Sequence, residues 1–187
     1  VPQLDHDVTA FKSALVFSLT APGIPFYYYG SEQEFAGGND PQNREIMWNS
    51  FNTGSDIYKM TAAVNKARKA HSIWSHNLEE RYVLDNVYAF SRGDFFVGLT
   101  NGGSVNVQPN APWANGTVVC NIFYPTQDCQ TIQNGKLNLV LNNGEAKIFI
   151  PKNSAYFEDP ARSLNEFVTF INFSINKISG LRGFGVL

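Results

Sequence analysis

Charge, cysteine and unbroken apolar stretches are all scarce in this chain, and each shortage excludes something. Charged residues make up 16% of the 187, and the formal net charge is −2. With no basic stripe to neutralise phosphates, nucleic acid is not an expected partner. The longest apolar region is broken by Pro22, Gly23 and Pro25, so no membrane span is expected. The two cysteines, Cys120 and Cys129, are spaced for neither a C-x-x-C redox pair nor a zinc site, and no histidine lies near them. A disulfide-closed loop made in an oxidising compartment is the expectation, against two free buried thiols. The chain opens without an initiator Met or a signal peptide and is expected to begin inside a domain.

What is present points to a packed protein. Apolar residues reach 43% and aromatics 14%, enough for a core and for broad aromatic contact surfaces of the kind found in carbohydrate-handling proteins. Asn115-Gly-Thr117 and Asn172-Phe-Ser174 match the acceptor pattern for N-glycosylation, which together with the cysteines points to a secreted or lumenal location.

The first 75 residues follow an α/β pattern. Val8, Phe11, Ala14, Leu15, Ser18 and Leu19 recur near helical spacing across Asp7–Ala21, and Pro22-Gly23 ends the run. The apolar stretch Ile24–Tyr29 is short, flanked by Gly23 and Gly30, and suits a strand buried on both faces. A polar loop follows. Ser55 can cap a second helix, Asp56–Ala70, with an inner stripe of Ile57, Met60, Thr61, Val64 and Ala67.

After His76 the texture changes to short β-branched and aromatic runs: 81–84, 87–91, 95–100, 105–107, 118–123, 137–141 and 146–150. Asp85-Asn86, Gly93-Asp94, Asn134-Gly135 and Asn142-Asn143-Gly144 separate several of them, as hairpin turns do. The expectation is an antiparallel β-sandwich of seven or eight strands over roughly 79–160. Residues 161–187 are expected to be a tail of uncertain structure, either loose or the start of a hydrophobic C-terminal signal.

Chemistry-bearing residues gather in the polar loop. Asp40 and Arg44 stand four apart, and Asp40-Pro41 resembles an N-cap followed by proline at the first helical position. The structural reading is a capped turn closed by an ion pair. The functional reading is that both side chains face a cleft and bond sugar hydroxyls, carboxylate as acceptor and guanidinium as donor. The two are compatible. Glu32 and Glu34 are further acids on the loop, and Tyr27, Tyr28, Tyr29 and Trp48 are either stacking platforms or core. His6, His71 and His76 have no catalytic spacing and read as structural, with Asp7 a first-turn acid.

The string G-I-P-F-Y-Y-Y-G-S-E-Q-E-F-A-G-G-N-D-P-Q-N-R-E-I-M-W closely resembles the last barrel strand and its loop in fungal-type and protist α-amylases, members of the retaining α-glucan hydrolase clan (glycoside hydrolase family 13). The similarity continues through S-D-I-Y-K-M-T-A-A-V-N-K-A-R-K-A and, more loosely, into the β-rich part. It implies an α/β plus all-β fold: residues 1–78 as the C-terminal portion of a TIM (β/α)8 barrel, 79–160 as a C-terminal β-sandwich domain. It places Asp40 and Arg44 at the positions that bind glucose units on the non-reducing side of the scissile bond. The nucleophile, the acid and the calcium ligands of the family would lie upstream of Val1. His6-Asp7 lacks the flanking residues of the family's N-H-D-N-P-R motif and takes no catalytic role. The resemblance implies a monomer acting on starch, glycogen or maltodextrin, this chain alone being inactive. The competing expectations are a non-catalytic starch-binding accessory protein, or an α-glucosidase or transglycosylase of the same clan.

Overall fold

A computed structural model describes residues 7–158. The chain forms two compact units, Val1–Asn153 and Ser154–Leu187. The expected tail, Asn172 and His6 lie outside the described residues.

Helix α1 spans Val8–Thr20. Asp7 is its N-cap and not a first-turn acid: its carboxylate accepts from Thr9 N at 2.9 Å and Ala10 N at 3.0 Å, satisfying two of the orphan N–H groups of the first turn. The face that α1 buries carries Ser13, Val16, Leu19 and Thr20, of which only Leu19 belongs to the expected run. Apolar residues lie all round this helix, so periodicity alone had no single face to select. Helix α2, Asp56–Ala70, starts where Ser55 Oγ accepts from Tyr58 N at 3.2 Å. It buries Ile57, Val64 and Ala67, as its stripe demands.

Eight strands follow: β1 Leu78–Leu84, β2 Val87–Arg92, β3 Phe95–Thr100, β4 Val105–Val107, β5 Val118–Asn121, β6 Cys129–Thr131, β7 Leu139–Leu141 and β8 Ala146–Pro151. Six pair in the order β1-β2-β3-β8-β5-β6, and β4 pairs with β7 in a second, smaller sheet. All pairings are antiparallel. The two sheets are unequal, with the small one covering part of one face of the large one. Ala89, Phe96, Val119 and Phe149 from the large sheet pack there with Leu139, Leu141 and Trp113. Gly98 is required at that contact, because a Cβ would stand 2.7 Å from Leu139 Cδ2. The opposite face of β3 and β8 meets α1. With cover on both faces, all six residues of β3 are buried.

Arg92 joins the helices to the sheet. It is 5% exposed; its Nε donates to His76 O at 3.1 Å, and its Nη1 donates to Thr20 O at 3.2 Å and Ala21 O at 3.1 Å. A cation at the C-terminus of α1 complements the helix dipole. Burial pushes the guanidinium below its ordinary value.

In the second unit the described residues are Ser154–Glu158. Ser154 Oγ accepts from Tyr156 N at 3.2 Å to start a 3₁₀ turn over Ala155–Phe157, where the Tyr156 and Phe157 rings meet edge to face at 4.9 Å. Among the described residues no helix is long and apolar enough to cross a membrane.

Candidate substrate-binding loop

After α1, Gly23 takes a left-handed φ of 107°, and residues 24–28 run on without a ladder partner. The expected buried strand is therefore absent: Ile24 is 85% and Phe26 94% exposed. A parallel strand exists only through its neighbours, and no described strand runs beside this stretch. Tyr27 turns inward, its hydroxyl 3.2 Å from Thr61 Oγ1 on α2. Burial raises the Tyr27 phenol above its ordinary value; the Thr61 hydrogen bond opposes that and the Glu32 charge adds to it.

Gly30 makes the turn into the loop, with φ 82°. Any side chain there would run into the Phe35 ring. A 3₁₀ turn, Ser31–Gln33, follows and is tied to the start of α2. Ser55 Oγ donates to Glu32 O at 2.7 Å, while Gln33 bridges the Asn52 backbone, accepting from Asn52 N at 3.0 Å and donating to Asn52 O at 3.3 Å. At the far end Gly37 N donates to Glu45 Oε1 at 3.2 Å. The loop is thus held from its base and across its mouth.

Between these braces residues 39–43 form one turn, with Asn43 N donating to Asn39 O at 3.1 Å and Arg44 N to Pro41 O at 3.0 Å. The Asp40–Pro41 peptide is cis. The expected turn forms, its backbone bonds ending at Arg44. The expected ion pair does form: Arg44 Nε lies 2.9 Å from Asp40 Oδ1, with side chains 70% and 64% exposed. One carboxylate edge and most of the guanidinium fork therefore face outward, ready to accept from one hydroxyl and donate to the next. Tyr28 and Tyr29 lie beside the loop with rings 4.8 Å apart, and Tyr28 OH donates to Asn43 O at 3.4 Å. Trp48 is 74% exposed. Sequence reasoning missed Asn43, whose Oδ1 is buried without a hydrogen-bond partner among the described residues; only its place between Asp40 and Arg44 could have drawn notice.

The remaining candidates fall elsewhere. Cys120 and Cys129 form the disulfide across the β5–β6 pair, their Cα atoms 4.1 Å apart. Asn115 is exposed and its Oδ1 accepts from Gly135 N at 2.7 Å. His71 Nδ1 lies 2.6 Å from Asp94 Oδ1 and packs by Phe95, linking the end of α2 to the β2–β3 turn. Among the described residues no group of three His, Cys, Asp or Glu side chains is placed to hold a metal ion.

No protein-family model matches the chain, but individual proteins do. It is 34% identical over 152 residues to a beta/alpha-amylase of Paenibacillus polymyxa, an alignment covering 74% of this chain and 12% of that protein. It is 30% identical over 170 residues to alpha-amylase 2 of Schwanniomyces occidentalis, covering 81% of this chain and 32% of that enzyme. The solved alpha-amylase of Malbranchea cinnamomea superposes with a TM-score of 0.72 at 30% identity, over 79% of this chain and 33% of that one. The chain belongs with the C-terminal part of the α-amylases. It spans about a third or less of the length of these relatives, so its likeness to an α-amylase is to one portion of such an enzyme.

Proposed function

We propose that this chain supplies one wall of the glucan groove and the C-terminal β-domain of an α-amylase that cuts α-1,4-glucosidic bonds in starch or glycogen. The observation that carries the reading is the exposed Asp40–Arg44 pair, mounted on a loop braced against α2 beside a cluster of outward aromatic rings. A fixed acid-and-guanidinium pair suits neutral polyol recognition, each group addressing adjacent hydroxyls. Asp40 serves as a holding group, since its carboxylate is engaged by Arg44.

In this reading Ile24–Tyr29 is the final strand of a (β/α)8 barrel and α2 its last helix, the loop Gly30–Glu45 lying at the strand's carboxyl end where such barrels keep their active sites. The exposed Ile24, Phe26, Ile46, Trp48 and Phe51 are then surfaces for the rest of the barrel, consistent with the rule that clustered exposed apolar groups mark contacts. Bond cleavage is assigned to a carboxylate nucleophile and a carboxylic acid about 5–5.5 Å apart, the separation of retaining glycosidases, both supplied by the barrel outside this chain. Calcium, where the enzyme holds it, is also assigned outside the described residues. The disulfide supports a secreted or lumenal protein.

Two assays test the reading. The 187-residue chain is expected to release no reducing sugar from soluble starch above a boiled control, whereas the enzyme that contains it is expected to release maltodextrins whose new ends are initially α-anomers by NMR. Initial β-anomers, or no starch cleavage by that enzyme, overturn the proposal, the latter in favour of an accessory starch-binding protein.

A further inference from the structure

A groove of about 640 Å³ opens between α1, α2, the β5–β6 turn and the β7–β8 turn, on residues distinct from the Asp40–Arg44 loop. Its size falls within the range of small-molecule sites, about 300–1,000 Å³. Four charges line it and they balance: Lys12 and Lys59 against Asp56 and Glu145. Lys12 Nζ stands 3.7 Å from Asp56 Oδ2, and Glu145 Oε2 accepts from Asn142 N at 2.8 Å and from Asn142 Nδ2 at 3.1 Å. A multiply charged ligand finds no excess of the opposite sign here. A neutral ligand rich in both donors and acceptors does find partners.

Two further features narrow that class. Tyr124 lines the groove with its side chain 54% exposed, and its mount is stiff. It lies inside the loop closed by the Cys120–Cys129 disulfide, its N–H donates to Asn121 O at 3.2 Å, and its carbonyl accepts from Asp128 N at 2.9 Å. An aromatic face presented on a fixed backbone loses little freedom when something stacks on it. Asn143 sits exposed on the facing turn, its amide without a partner among the described residues. That turn is pinned by Gly144, which lies against Ala10 at the start of α1 and has φ 70°. A sugar ring has an apolar C–H face and a rim of hydroxyls, which matches a rigid aromatic face opposite a free amide and balanced charges.

We infer that this groove is a second carbohydrate site, taking a stretch of α-glucan with one sugar ring stacked on Tyr124 and hydroxyls bonded by Asn143, Glu145 and Lys59. The identity of the sugar as α-glucan rests on the function proposed above; the oligosaccharide class rests on the groove alone. The test is titration of the full chain with maltoheptaose, and separately with cellohexaose, followed by NMR or calorimetry. Tyr124→Ala and Asn143→Ala are compared with the Asp40→Ala/Arg44→Ala double variant, with thermal melts confirming that each is folded.

The expected result is maltoheptaose binding that weakens about tenfold or more in Tyr124→Ala, the scale of a lost aromatic contact, and persists in the double variant. Binding unchanged by Tyr124→Ala, binding abolished only by the double variant, or no binding of either sugar overturns the groove. Tyr124-dependent binding of cellohexaose but not maltoheptaose upholds an oligosaccharide groove and overturns the α-glucan reading instead.

Discussion

Strand β3 and the stretch Ile24–Tyr29 are each six residues of largely apolar sequence, yet every residue of β3 is buried while Ile24 and Phe26 stand 85% and 94% exposed. The difference lies in the neighbours. β3 is hydrogen-bonded to β2 on one side and β8 on the other, with the β4–β7 layer and α1 over its faces. Ile24–Tyr29 has α2 on one side through Tyr27, and no described strand pairs with its backbone. The β-region completes its own core. The stretch after α1 displays a surface suited to further packing, and the polar loop it leads into carries the exposed Asp40–Arg44 pair.

Substitutions at matched positions give the sharpest test of that contrast. Phe149→Ala removes a ring 1% exposed from the centre of the large sheet and is expected to cost about 3–5 kcal/mol in denaturant unfolding. Phe26→Ala in the same chain is expected to fall within about 0.5 kcal/mol of the parent. Equal losses at the two sites would show that Ile24–Tyr29 is packed after all.

Arg92→Met probes the joint between the two regions. It strips donors from three backbone carbonyls, those of His76, Thr20 and Ala21, and is expected to cost about 2–3 kcal/mol, the scale of buried acceptors left unsatisfied. Amide hydrogen exchange should show the loss concentrated at the end of α1. A loss spread evenly over the β-strands would contradict the assigned role. Reducing Cys120–Cys129 is expected to have an effect of similar size: the chain-entropy relation puts a loop of this length at about 2–3 kcal/mol, and the reduced chain should lose that much stability in denaturant unfolding.

The smallest expected effect is at Tyr27. Its folded value lies above that of the unfolded chain because burial disfavours the phenolate. Its contribution is therefore fully present below the unfolded value near pH 10 and is lost as pH rises through the higher folded one. The stability difference between parent and Tyr27→Phe should be constant from pH 7 to 9 and shift against the parent above pH 10. A pH-independent difference would remove Tyr27 from the buried contacts of this stretch.

Much of this was legible in the sequence, and the exceptions share a cause. β3 and β4 fall on their expected residues, and the Ser55 cap and the disulfide form as expected, because each depends on local pattern: alternation, turn chemistry, a capping oxygen. β6 escaped notice, since Cys129–Thr131 is a short strand at the sheet edge with no apolar run and is defined by pairing with β5. Ile24–Tyr29 read as a buried strand because composition reports apolarity and not who stands alongside. The Asp40–Arg44 pair was visible from its spacing, and it closes a turn as that spacing suggested. Arg92 gave no signal at all, since its three partners come from backbone far away in sequence.

The central claim is that Asp40 and Arg44 grip glucan without reacting with it. The most direct measurement is kcat/KM on maltodextrins for Asp40→Ala in the proposed parent enzyme, alongside its melting temperature. A positioning role predicts a fall of about 10- to 100-fold with the melting temperature unchanged, since the pair is exposed. An unchanged kcat/KM, or a collapse to the uncatalysed rate as from loss of a nucleophile, would contradict it.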